Sequence, residues 1–255
     1  LSIKNPRKHR IDSIRYSLNG KQISENQKLD SFKLGKQTLN ATVFFESKTQ
    51  HVTKEITILN SKAPKIYTFK IINEYPHDIT SYTQGLEFYN GELYESTGQR
   101  GESKLRKVNY KTGEVLKNVN LDKAYFAEGL TILNNNIYQL TWQSGTGFVY
   151  NVETFEKKSS FKYGKSKEGW GLCNDGTQIY KSDGSEKIWL LNADTLEELD
   201  YIQAYHNRGK VIELNELEWV NGKIYANRWN KNGVAIINPK NGAVEGVIDF
   251  SSLRK

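Results

Sequence analysis

Gln84-Gly85-Leu86 is a short stretch that returns three times, as Glu128-Gly129-Leu130, Trp170-Gly171-Leu172 and Asn215-Glu216-Leu217. The leucines stand 44, 42 and 45 residues apart. A second landmark, Tyr94, Tyr138, Tyr180 and Tyr225, keeps the same three intervals. A repeat of roughly 40–50 residues built from short strands is the signature of a β-propeller, in which four strands make a blade and equivalent positions of every blade face one axis. The side chains that head the motif, Gln84, Glu128, Trp170 and Asn215, should therefore converge on one spot.

The first repeat reads as four strands, over residues 85–89, 92–96, 103–109 and 114–120, with turns at Asn90-Gly91 and Lys111-Thr112-Gly113. Equivalent turns recur at Asp175-Gly176, Asn221-Gly222 and Asn241-Gly242. Residues 1–62 do not share the repeat. They alternate apolar and polar side chains over Ser13-Ile14-Arg15-Tyr16-Ser17-Leu18, Thr42-Val43-Phe44-Phe45 and residues 52–58, which predicts strands with one buried face. Asn19-Gly20 is a hairpin turn. The expectation is a small β-sandwich of the Ig-like kind over 1–62 and a propeller over 66–255, linked by Ser61-Lys62-Ala63-Pro64. Residues 66–72 read as a strand that closes the propeller by adding to the outer edge of its last blade.

Composition narrows the classes. Of 255 residues, 37% are hydrophobic and 25% charged, which supports a packed core and not a disordered chain. No stretch approaches the roughly 18 apolar residues of a membrane span. The net charge is +7, yet Lys and Arg form no dense run, so a nucleic-acid partner is not expected. Cys173 is the lone cysteine, in a strand, and reads as a buried structural thiol. The chain starts at Leu1 and has no Met, so it is expected to be a processed piece of an exported protein, periplasmic or at the cell surface, with a lipid anchor on a removed leader as one route.

Among the converging residues, Glu128 is the sharpest candidate. It sits in Tyr125-Phe126-Ala127-Glu128-Gly129, and a carboxyl in a dry aromatic pocket has its pKa raised toward the range useful for proton transfer. Trp142 and Trp229 end second strands where the other repeats carry Gly98 and Gly184, which predicts two large rings walling a pocket. Trp189 and Trp219 read as packing residues. The four histidines, His9, His51, His77 and His206, have no ligand spacing, and no phosphate loop or serine elbow occurs.

From Tyr75 onward the chain resembles the plant and bacterial type of glutaminyl cyclase, or glutamine cyclotransferase. The motifs that carry the likeness are Tyr75-Pro76-His77-Asp78, Tyr82-Thr83-Gln84-Gly85-Leu86, Glu95-Ser96-Thr97-Gly98, Tyr125-Phe126-Ala127-Glu128-Gly129-Leu130, Gly169-Trp170-Gly171-Leu172, Lys181-Ser182-Asp183-Gly184, Leu214-Asn215-Glu216-Leu217-Glu218 and Ala226-Asn227 through Trp229. The resemblance implies a five-bladed propeller that turns N-terminal glutamine of peptides or proteins into pyroglutamate and releases ammonia, as a monomer and without a metal at the active site. It places the acid/base role on Glu128 and the substrate pocket on Tyr82, Gln84, Phe126, Trp142, Trp170, Asn215 and Trp229. Gln84, Asn215 and the indole N–H of Trp170 are expected to polarise the carboxamide oxygen.

Two departures accompany the likeness. Ala127 stands where the family commonly has glycine. The family's last blade carries a Thr-Gly-Lys-Trp-Pro type segment whose lysine belongs to the site, and no such segment occurs in these 255 residues. The expectation is a five-bladed propeller whose last blade lies outside this sequence, with a four-bladed ring as the alternative. No cofactor is implied, and a structural ion in the channel stays open. The competing function is a propeller that binds peptide N-termini without turnover. A metal-centred lactonase would need several channel carboxylates and amides at the first-strand positions, where only Glu128 and Asn215 fit. Residues 1–62 are expected to lie outside the likeness.

Overall fold

The computed structural model describes residues 1–253, which form strands and no helix. The amino-terminal part consists of β1 (Ile11–Leu18), β2 (Lys21–Ile23), β3 (Gly35–Phe45) and β4 (Lys48–Ile58), ordered β2-β1-β3-β4 and antiparallel throughout. Asn19 and Gly20 both have positive φ, at 48° and 82°, the conformation of a tight hairpin turn. The two facing sheets expected of a sandwich are replaced by this single sheet. Its apolar face, with Tyr16, Leu18, Ile23 and Ala41 at the centre, is covered by Ile3, Leu29 and Phe32 from irregular segments. Alternation along a strand reports that one face is buried but not what buries it.

A short strand, β5 (Lys65–Tyr67), leads into four four-stranded sheets. The first is β6 (Thr83–Tyr89), β7 (Glu92–Thr97), β8 (Lys104–Val108) and β9 (Val115–Asn120). The second is β10 (Ala127–Leu133), β11 (Asn136–Thr141), β12 (Thr146–Asn151) and β13 (Lys157–Lys162). The third is β14 (Leu172–Asn174), β15 (Ile179–Ser182), β16 (Lys187–Leu191) and β17 (Glu198–Gln203). After the small hairpin β18 (Tyr205–His206) and β19 (Gly209–Lys210) comes the fourth, β20 (Leu214–Val220), β21 (Lys223–Arg228), β22 (Gly233–Ile237) and β23 (Val244–Asp249). Each is an antiparallel meander, one blade of a propeller. β5 joins the fourth blade by pairing parallel to β23, so a strand is added at that blade's outer edge, but it spans Lys65–Tyr67 and shares only Ile66 and Tyr67 with the expected 66–72.

The first strand of each blade faces the axis. β6 packs on β10, β10 on β14 and β14 on β20, whereas β20 and β6 border a groove of about 340 Å³ whose walls include Leu86, Glu218 and Val234. Near the axis the backbones approach too closely for side chains. A Cβ on Gly129 would stand 2.6 Å from the Gly171 Cα, and one on Gly171 would stand 2.2 Å from the Asn215 carbonyl oxygen. The fourth repeat has Glu216 instead of glycine, and its carboxyl fills the space left beside Gly85 and Gly129. Cys173, in β14, is buried in a core shared by the third and fourth blades with Tyr180, Leu217 and Ile224.

The terminal sheet is moored on the outer side of those two blades. Lys33 Nζ donates to Asp200 Oδ2 at 2.5 Å and to the Tyr201 carbonyl at 2.9 Å, and the Leu34 N–H donates to the Asn241 carbonyl at 2.8 Å. Leu34 packs against Tyr205 and Ala243.

Candidate active site

Three of the four repeat positions coincide with an interruption of strand register. The ladder of β6 on β7 shifts between Thr83 and Gly85, that of β10 on β11 between Ala127 and Leu130, and that of β20 on β21 between Leu214 and Leu217. A bulge of this kind releases a residue from the ladder and re-aims its side chain. Gln84, Glu128 and Asn215 are thereby turned into one cleft of about 590 Å³. The segments just outside the strands supply the rings. Trp142 follows β11, its backbone N–H donating to the Phe126 carbonyl at 3.0 Å, and Trp229 follows β21, its backbone N–H donating to the Glu213 carbonyl at 2.9 Å. Tyr82, Phe126 and Trp170 complete the lining. All eight side chains expected from the sequence thus border one cavity.

The rings form two walls. Tyr82, Phe126 and Trp142 make one, with ring centroids 6.1 and 5.7 Å apart in edge-to-face contact. Trp170 and Trp229 make the other, at 6.2 Å and 79°. The two glycines opposite the tryptophans have a direct use. A Cβ on Gly98 would stand 2.5 Å from the Phe126 ring, and one on Gly184 would stand 2.6 Å from the Trp170 ring. Tyr82 is 50% exposed and Trp229 52%, so they form the lip.

Glu128 lies on the floor, 6% exposed. Burial, and secondarily the charge of Glu168, pushes its carboxyl up to about 9, so at neutral pH it is the uncharged acid. The Asn215 Oδ1 is buried without a hydrogen-bond partner, an acceptor left free for a ligand's N–H. Arg228, Asn230 and Lys231 border the same cavity on the fourth-blade side.

The indole of Trp170 departs from its expected role. Its N–H donates to Glu168 Oε2 at 2.9 Å, and the N–H of Trp142 donates to the same oxygen at 2.9 Å. An indole has one donor, so neither ring can polarise a substrate oxygen. Glu168 escaped the sequence reading although it stands two residues before Trp170. The available signal was that a buried indole N–H needs an acceptor.

Motif residues outside the cleft form its support. Thr83 Oγ1 donates to Glu95 Oε1 at 2.7 Å, and His77 Nε2 lies 2.9 Å from that oxygen. Arg106 donates to Asp78 at 3.0 Å and to Ser81 at 2.8 Å, which holds the approach to Tyr82. Ser182 Oγ accepts from the Gly171 N–H and donates to the Asn215 carbonyl, at 2.7 and 2.6 Å, tying the third blade to the fourth. Lys181 is fully buried, bonded to Ser166 and 3.3 Å from Glu198, with the Tyr163 ring 4.0 Å away. Burial pulls its ammonium down to about 8, although the Glu198 charge works the other way. The Tyr163 hydroxyl donates to the Thr141 carbonyl and accepts its N–H, both at 2.8 Å, which fixes the residue before Trp142.

Glu87 stands on β6 and Glu216 and Glu218 on β20, and burial raises all three carboxyls, Glu87 to about 7. Among the described residues no group of three His, Cys, Asp or Glu side chains has the arrangement of a metal site.

The sequence profile of the glutamine cyclotransferase family matches residues 38–255. The match begins within β3, so the likeness reaches into the terminal sheet and residues 38–62 do not lie outside it. A curated glutaminyl-peptide cyclotransferase of Arabidopsis thaliana is 38% identical over 192 residues, covering 75% of this chain and 60% of that protein. The chain therefore spans about 60% of that relative's length. The crystal structure of Myxococcus xanthus glutaminyl cyclase aligns with a TM-score of 0.69 at 35% identity, over 74% of this chain and 80% of that one. With its blades, its cleft and these relatives in agreement, the chain belongs to the glutamine cyclotransferase family.

Proposed function

We propose that this chain cyclises N-terminal glutamine of peptides to pyroglutamate with release of ammonia, with Glu128 as the group that moves the protons. The observation that carries the reading is the buried Glu128 carboxyl in an aromatic cleft that Gln84 and Asn215 also line; burial, which pushes that carboxyl up to about 9, suits it to proton transfer. Family membership supports the same activity.

Nucleophile and electrophile belong to one side chain, so the protein has to fold it back and manage protons. The two aromatic walls hold the folded conformer by shape, an orientation effect. The neutral α-amine attacks the carboxamide carbon, forming the ring C–N bond. The Gln84 amide faces the oxygen where negative charge develops, and Asn215 Oδ1 accepts an N–H. Glu128 donates its proton to the departing nitrogen as the C–N bond to ammonia breaks. The resulting carboxylate takes the surplus proton of the ring nitrogen, and the acid is restored. Such acid–base assistance is worth about 10²–10⁴-fold.

Ammonia release from a Gln dipeptide measures this directly. Glu128→Gln, isosteric with the acid form, is expected to lose at least about a hundredfold in rate while its circular dichroism and melting temperature stay near wild type. A near-normal rate in this variant removes the assigned role. Peptide binding by a wild-type protein that releases no ammonia favours a non-catalytic receptor. Because the lip at Tyr82 and Trp229 is half exposed, residues beyond the second of a peptide should alter kcat/KM little.

A further inference from the structure

We propose that Glu168 is a positioning residue of this cleft: its Oε2 receives the indole N–H of Trp142 and of Trp170 and so sets the distance between the two walls that fold the glutamine side chain. The inference rests on the cyclase reading.

The two rings come from different blades, Trp142 from the end of β11 and Trp170 from the segment before β14. Nothing in either blade alone fixes their separation. One carboxylate oxygen, 2.9 Å from both indole nitrogens, does so. Gln143 Nε2 donates to the other oxygen at 3.2 Å. Hydrogen bonds to an ionised acceptor are shorter and stronger than neutral ones, and with its single donor engaged neither ring is free to turn. The intervening backbone is held as well. The Gly169 N–H donates to the Trp142 carbonyl at 3.0 Å, and a Cβ at Gly169 would stand 2.5 Å from the Tyr163 hydroxyl.

The same carboxylate acts on Glu128 through space, which provides a readout that mere support would not move. The charged and titratable groups around Glu128 are Tyr82 before β6, Glu168 from the loop before β14, Glu216 from β20, Tyr163 after β13, Arg228 at the end of β21 and Lys231 in the turn that follows it. Of these, Glu168 adds to burial in keeping Glu128 protonated. Removing its charge should shift the alkaline limb of the rate profile to lower pH.

The experiment compares wild type with Glu168→Gln, which keeps an acceptor but loses the charge, and with Glu168→Ala. Proton–nitrogen correlation spectra resolve the indole N–H signals, and that of Trp189, bonded to Asp183 at 2.7 Å, is the internal control. The Trp142 and Trp170 signals should move in both variants while Trp189 stays. kcat/KM should fall by about tenfold to a hundredfold, and Glu168→Gln should move the alkaline limb downward. Unmoved indole signals overturn the inference, as do moved signals with kcat/KM within twofold of wild type. If Glu168→Ala does not fold, Glu168→Gln decides by the same criteria. A wild-type protein that releases no ammonia sinks the cyclase reading, and the positioning claim then stands or falls on the indole signals, which need no turnover.

Discussion

Glu128 and Glu216 are neighbours across the channel, and burial acts on both in one direction with different results. Glu128 faces the aromatic cleft, whereas both carboxylate oxygens of Glu216 are closed off from solvent. In the proposed reaction the acid form of Glu128 is the one that works, so kcat/KM should fall as pH rises through about 9. On the acid side it should fall as the substrate amine, ordinarily near 7.7–8.0, takes up a proton. A bell-shaped profile is expected, and a rate that keeps climbing above pH 10 would remove Glu128 as the acid. Both oxygens of Glu216 are buried without a hydrogen bond of normal length, and its carboxyl is raised well above the usual range by burial, then by Glu87 and Glu128. A raised carboxyl contributes fully to stability below its unfolded value near 4.5. That contribution is lost as pH rises toward the folded value, at about 1.4 kcal/mol per pH unit. Glu216→Gln should therefore melt close to wild type at pH 4 and higher than wild type at pH 8, by calorimetry at both values. Glu128 is legible in the sequence because its neighbours are aromatic. Glu168 is not, because its partners are brought to it by the path of a loop and not by any period.

At the scale of elements, the bulges in β6, β10 and β20 explain why the residue two before a constant leucine is free to differ from blade to blade. The repeat spacing by itself locates these positions. It does not show the register shift, since a bulge leaves the flanking alternation nearly unchanged. The turn at Gly184 is the complementary case. With φ at +78° and the Trp170 ring where a Cβ would lie, Gly184→Ala combines backbone strain with a clash. It should cost about 1–3 kcal/mol in denaturant unfolding and raise KM, whereas Gly222→Ala, with equal φ but open space around it, should lower stability and leave KM unchanged. The terminal sheet marks the limit of pattern reading. Its strands are legible, but the cover on its apolar face is irregular chain, which has no periodicity to detect.

For the molecule as a whole, the terminal sheet meets the propeller around Lys33, Leu34 and Lys36, where Gln203 accepts from the Lys36 N–H and donates to the Leu34 and Lys36 carbonyls beside the Lys33–Asp200 pair. Twelve Lys and Arg against five Asp and Glu place the whole excess of +7 within residues 1–62, so the basic part is the moored part. Leu34→Ala should cost about 2–4 kcal/mol of that mooring, read as faster amide exchange in β1 to β4 while the blades and the rate of ammonia release hold. Cys173 supplies a probe of the blades themselves. It is the single sulfur atom in the chain, enclosed in packed apolar side chains with its thiol raised well above the ordinary value by burial and by the nearby glutamates. A maleimide or aromatic disulfide should leave the native protein untouched and modify it only when the third and fourth blades part. The modification rate is then a stopwatch on that opening, with no engineered label required.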